Sequence, residues 1–288
     1  MSDGSLPVPV EMWEMQRPVI DAPAVDDTSS RPERRGWLSR RWVVVAIGAI
    51  LPLSLLALWQ LTTTLGIVTP NQLRSPGEVW TAAVQLFERG QLVKFIVIST
   101  QRVLIGFAVG ASLGLVLGAI TGLARVWDIF FGGALGAIRA VPSLAWVPLL
   151  ILWLKIGEES KITLIAIGAF FPVYTMVSGS LRHVDRNLVE AGQAFGLRGT
   201  SLFLNVQLPA VLPSVISGLR LALAQSWLFL VAAELIASAA GLGFLLIDSQ
   251  NNGRVDNMLL AIILLAIFGK TTDSILGVFE RRAIRRWT

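Results

Sequence analysis

The chain's stock of reactive side chains is small. It has no cysteine and a single histidine, His183, so no thiolate or histidine cluster is available to hold a metal or supply a nucleophile. It also lacks a Gly-x-x-x-x-Gly-Lys-Ser/Thr run, the sequence that cradles nucleotide phosphates. What it offers instead are ionisable residues set inside apolar runs, Arg220, Glu234, Lys270 and Asp273, and two patterned stretches. The first is Glu190-Ala-Gly-Gln-Ala-Phe-Gly196, followed after nine residues by Val206-Gln-Leu-Pro209; the second is glycine at 106, 110, 114, 118 and 122. Charge among apolar neighbours is costly unless it serves a function, and it suits the passage of a charged solute better than bond breaking.

The elements that must position these residues lie in a bilayer. Of the 288 residues, 54% are hydrophobic and 15% charged, with a mean hydropathy of +0.67, whereas soluble domains have roughly 45–50% apolar and about 25% charged residues. This excludes a disordered chain, a disulfide scaffold and a cytosolic enzyme, and makes an all-α polytopic membrane protein the expectation. The net charge of +5 and pI near 10.4 come from arginines that flank apolar runs, where they meet lipid headgroups; they form no patch for nucleic acid.

A crossing takes roughly 20 apolar residues, and six segments qualify: 42–61, 101–123, 135–154, 161–181, 214–236 and 257–278. Residues 1–41 carry five prolines and little apolar periodicity and are expected to be a disordered cytoplasmic tail. The first apolar run starts too far from the N-terminus for a cleaved signal peptide, so 42–61 is expected to be retained as a membrane helix. Placing both termini inside sets thirteen Lys/Arg on the inner flanks against six on the outer, which favours that orientation in the cytoplasmic membrane. The spacing thus divides the chain into a tail, a first helix with an external amphipathic segment (42–100), a core of crossings (101–280) with an inner loop at 182–213, and a basic cytoplasmic tail at 281–288. Ser75-Pro76-Gly77-Glu78 signals a short external helix.

Several residues carry more specific expectations. The five glycines share one helical stripe where another helix can approach backbone to backbone, either inside one chain or at a seam between two copies. Pro142 and Pro148 open the helical ladder of the third segment, which suits a bent helix lining a path or a kink that serves packing. Lys270 and Asp273, three apart, can neutralise each other. Arg220 and Lys270 suit an anion or simply snorkel to the inner interface, and Glu234 near the outer end of the fifth segment is a further path candidate. Asp248, Gln250, Asn251 and Asn252 are expected in an outer turn, and His183 at the surface. The 182–213 loop is amphipathic and reads as two short helices meeting at Gly196.

That loop carries a resemblance. Glu190-Ala-Gly-Gln-Ala-Phe-Gly196 and Val206-Gln-Leu-Pro209 resemble the EAA motif of permease subunits of bacterial ABC importers, in which Glu-Ala-Ala, three residues, Gly and nine residues precede Ile-x-Leu-Pro. Gly192 stands where the family usually has Ala, and Val206 where it often has Ile. The likeness extends from about Ser75 to Arg286, including Arg139–Trp153, Lys161–Pro172 and Gly241–Asn252, and is nearest to permeases for aliphatic sulfonates, taurine, nitrate and related small anions or heterocycles. The resemblance implies a type I permease fold, a permease homodimer, two ATP-binding subunits beneath it and an external substrate-binding protein. It also implies that Glu190, Ala191, Gly192, Gly196, Leu208 and Pro209 engage the ATPase. This chain would bind no cofactor; ATP and Mg would be used by the partner. An uncharged heterocycle such as a pyrimidine precursor is the alternative cargo. A membrane-embedded enzyme would need clustered nucleophiles or ligands that are absent from the sequence, and an ion-coupled transporter would have no use for the EAA-like loop.

Overall fold

The computed structural model describes residues 41–287, and every element among them is helical, as a bilayer requires of a chain that must satisfy its own backbone hydrogen bonds. In chain order these are α1 (Arg41–Thr64), α2 (Pro76–Glu88), α3 (Gln91–Leu123), α4 (Arg125–Ala140), α5 (Trp146–Leu154), α6 (Glu158–Arg182), α7 (Arg186–Ala194), α8 (Gly199–Leu202), α9 (Leu208–Ala237), α10 (Leu242–Asn251) and α11 (Val255–Trp287). The expected disordered tail lies, apart from Arg41, outside the described residues. Two units divide within α1, between Ser54 and Leu55. In the first, Ile50, Leu51 and Leu53 are exposed.

Among the described residues, Gln91–Leu123, Glu158–Arg182, Gly199–Ile236 and Val255–Arg282 are long and apolar enough to cross a membrane, and Gly48–Thr64 adds a shorter apolar helix. The six expected crossings map onto α1, α3, the α4–α5 region, α6, α9 and α11. Three boundaries differ most from expectation. α3 begins at Gln91, ten residues before the expected 101, because Arg102 is packed inside the protein and marks no helix end. The single rod expected over 135–154 is two helices, since Val141 before Pro142 is held extended at ψ 125° and a tight turn at Ser143–Ala145 follows. Pro148 then occupies the first turn of α5, where a missing N–H costs nothing. The basic tail expected at 281–288 is, through Trp287, the end of α11.

Ser75 closes a capping box on α2, its side chain accepting from the Glu78 N–H while Glu78 accepts from the Ser75 N–H at 2.8 Å. That backbone bond, helped by the Ser75 hydroxyl and Arg74, holds the Glu78 carboxyl below the usual range.

Packing within the larger unit follows the glycines. A Cβ on Gly106 would lie 2.6 Å from Ile165 Cβ, on Gly114 2.8 Å from the Phe170 carbonyl, on Gly118 2.9 Å from Val177 Cβ and on Gly122 2.8 Å from Leu181 Cβ; on Gly110 it would collide with the Ala166 carbonyl. All five therefore face α6 in the same chain, and of the two packing arrangements left open by the stripe this is the internal one. The α3–α6 pair then buries Val103, Ile165, Val173 and Val177 together with Val215, Leu223 and Leu230 of α9. A separate cluster joins α2, α10 and α11 through Val79, Leu86, Leu245 and Leu260.

Candidate functional site

The patterned loop forms a short exposed helix between two long apolar ones. Asp185 caps α7 by accepting from the Asn187 N–H at 2.9 Å. The far end closes on Gly196 at φ +83°, with the Gly196 N–H bonded to the Gln193 carbonyl and the Leu197 N–H to the Gly192 carbonyl. This is the paired closure that a left-handed glycine permits. α7 is thus defined at both ends by its own sequence. The expected second short helix is not separate, because α8 continues through a widened turn at Phe203–Gln207 into α9. Leu208 and Pro209 follow directly on that widened turn as the first two residues of α9.

Gly192 is the buried residue of α7. A Cβ there would lie 2.8 Å from Leu202 Cδ1 and 3.0 Å from Val206 Cγ2, so glycine lets α7 sit directly on the start of the α8–α9 rod. The rest of α7 is open. Glu190 and Ala191 are exposed, Glu190 bonded only to Arg186 at 2.7 Å, a surface pair worth little. Leu188, Ala191 and Phe195 share one side by helical spacing, and Phe195 is 88% exposed. Bare apolar side chains on a short capped helix are a surface that a partner can cover.

Beside this helix, between the adjoining ends of α6 and α9, lies a cavity of about 520 Å³ whose lining includes Thr175, Ser180, His183, Asp185 and Ser214. His183 is exposed, its Nδ1 2.7 Å from the Gly179 carbonyl, which fits its surface reading. Among the described residues no group of His, Cys, Asp and Glu is placed to hold a metal ion.

The charged path candidates fall into two clusters on α9. Nearer α7, Arg220 donates to Asp273 at 2.9 and 3.1 Å and to Glu280 at 2.7 Å. Arg220 is therefore neutralised by α11, and it, not Lys270, is the main partner of Asp273. The Lys270 ammonium lies 3.4 Å from Asp273 with its side chain 78% exposed. At the end of α9 distal to α7, Glu234 is fully buried. It accepts from Arg102 at 2.6 Å, from the Ser99 hydroxyl at 2.9 Å and from the Gly243 N–H at 2.7 Å. Arg220 and Glu234, fourteen residues apart on one helix, are about 21 Å apart along its axis and share no site. Pro142 and Pro148 are exposed. Asp248, Gln250 and Asn251 belong to the last turns of α10 instead of an outer turn, with Asn252 as its C-cap.

Sequence reasoning passed over Arg102, Glu158 and Lys161. Arg102 forks onto Glu158 at 2.7 and 2.5 Å, and Lys161 reaches the same carboxylate at 3.1 Å. A signal was present: position 102 extends the 106–122 glycine stripe by one further step of four, so its side chain had to point at α6.

The sequence pattern of the family described as "Binding-protein-dependent transport system inner membrane component" matches residues 110–285. A protein of Bacillus subtilis (strain 168) named as an aliphatic sulfonates transport permease, SsuC, is 35% identical over 268 residues, covering 93% of this chain and 94% of its own. Its namesake in Escherichia coli (strain K12) is 39% identical over 246 residues, covering 85% and 94%. Among solved structures, a chain from an inward-facing form of the MetNI methionine ABC transporter overlays with a TM-score of 0.59, covering 70% of this chain and 98% of its own, at 20% identity. The likeness to that structure concerns the fold alone.

Proposed function

Because the chain belongs to the binding-protein-dependent transport system inner membrane component family and is the membrane permease of an ABC importer, not an enzyme, we propose that α7 is the lever through which a separate ATP-hydrolysing subunit moves it. In this reading two copies enclose a path at their shared axis, both termini face the cytoplasm, and ATP with Mg is consumed by the motor. An external binding protein delivers a small anion. An aliphatic sulfonate is the favoured cargo, on the strength of the two relatives named for it. An uncharged heterocycle is the alternative.

The observation that carries the proposal is α7 itself. A helix closed by Asp185 and Gly196 keeps its shape without a partner, and Gly192 seats it against Leu202 and Val206. A push on its bare Leu188–Phe195 side then passes into α9 on one flank and α6 on the other, with little lost to local melting. Glu190 and Ala191 are placed to meet the partner, while Leu208 and Pro209 stiffen the start of the driven helix.

Co-purification with candidate ATPases tests the proposal. A stable complex with solute-stimulated ATP hydrolysis is expected, and Glu190→Arg or Gly196→Pro should abolish the stimulation. Uptake that proceeds without any ATPase would overturn it. Binding of sulfonates, taurine, nitrate and pyrimidine precursors to the partner binding protein decides the cargo.

A further inference from the structure

A displacement applied at α7 enters α6 and α9 at one end, and it must reach their other ends, roughly 37 and 45 Å away at 1.5 Å per residue, before a solute can cross. The α3–α6 pair will not shear, because its glycines place backbone against backbone at five successive positions. The joint between α9 and that pair is softer. It has two close glycine contacts, Gly168 under the Phe229 ring and Gly218 against Met176, in place of five; the rest is apolar side-chain packing, and prolines at 172 and 213 open the ladders of α6 and α9. Movement entering α9 can be absorbed there unless the distal ends are tied.

Arg102 is placed at the distal end of this joint. With a side chain 6% exposed, it projects from α3, forks onto Glu158 at the start of α6, and with its remaining nitrogen holds Glu234 of α9 and the Ala240 carbonyl, each at 2.6 Å. Glu234 passes the connection on to α10 through the Gly243 N–H, and Ser99 holds the Leu242 N–H at 2.8 Å. Gly241, at φ +126°, makes room for this, since any Cβ there would strike the Glu234 carboxylate. Two cations, Arg102 and Lys161, are balanced by two carboxylates, Glu158 and Glu234. The network is buried at Arg102, Lys161 and Glu234 and open at Glu158, whose side chain is 57% exposed; buried ion pairs add little to stability compared with well-packed apolar residues, and their best-attested use is to set register. Only a planar guanidinium can fork onto one carboxylate while reaching a second on another helix.

We propose that Arg102 is a positioning residue that ties the distal ends of α3, α6 and α9, with the start of α10, into one body, so that a stroke at α7 arrives as one tilt. The proposal rests on the importer reading above. It assigns Arg102 no contact with the solute and no role in hydrolysis; without it the motor turns over while transport slips.

The test uses proteoliposomes holding the permease with its ATPase and supplied with the binding protein, with hydrolysis and uptake read on the same vesicles. Arg102→Lys keeps the charge and loses the fork. Hydrolysis should stay within about twofold of the parent while solute moved per ATP falls at least about fivefold. Should the lysine variant fail to fold, the paired change Arg102→Gln with Glu234→Gln, which leaves no orphan charge, should show the same split. A readout free of activity is available because the chain has no cysteine: spin labels on Val97→Cys of α3 and Ile236→Cys of α9, both exposed positions, should give one narrow distance in the parent and a broadened one in either variant. Unchanged uptake per ATP, a proportional fall of hydrolysis and uptake, or an unbroadened distance would overturn the proposal. Parent vesicles without ATP-driven uptake would instead overturn the importer reading.

Discussion

The α3–α6 seam and the short helix α7 are both built around glycine, to opposite ends. In the seam, glycine removes side chains so that two backbones meet over the length of the helices, and the outcome is rigidity. In α7, Gly192 lets a short helix seat closely and Gly196 ends it at once, leaving the remaining surface bare. The contrast shows that glycine in a helix of this protein has no fixed meaning. What it does depends on whether the space it frees is filled by the same chain or left for another.

The contrast can be broken most severely at the seam. Gly114→Leu must drive a side chain into the Phe170 carbonyl and Val173, and should cost about 3 kcal/mol or more of stability; loss of monodisperse protein on size-exclusion chromatography in detergent checks it. Arg102→Ala leaves Glu234 buried without its cation and should cost about 3–5 kcal/mol, seen as a lowered unfolding temperature. It should exceed the effect of Arg220→Ala, whose partners Asp273 and Glu280 lie nearer solvent. Gly196→Ala forces a Cβ into a left-handed turn and should cost about 1 kcal/mol, confined to α7 and visible as faster hydrogen exchange there. Phe195→Ser should leave thermal stability within about 0.5 kcal/mol of the parent while weakening ATPase co-purification. A Phe195 variant that destabilised the isolated permease would erase the distinction between the two regions.

Much of the local structure could be read directly. The Ser75–Glu78 box and the Gly196 stop act over four residues or fewer, so their geometry is written in their neighbours. The glycine stripe was equally plain as a surface for close packing, but its partner was not, because spacing along one helix says nothing of which helix lies opposite. The place of Arg102 is hidden in the sequence for a related reason. A charge beside an apolar run ordinarily marks the membrane edge, and only the arrival of Glu158 and Glu234 from segments 56 and 132 residues away turns it into an interior residue. The same distance effect reassigned Asp273 from its neighbour Lys270 to Arg220.

The sequence by itself therefore determined the helical membrane class, the family-bearing loop, the start of α2 and the turn that ends α7, because composition, caps and turns are settled by contacts within a few residues. Only the tertiary structure decided that the glycines face α6, that the 135–154 stretch breaks in two, and that four charges from three helices close on one another. The first and last of these depend on which surfaces meet across more than fifty residues of chain, which no local periodicity carries, whereas the break follows from Pro142 and the extended Val141 before it.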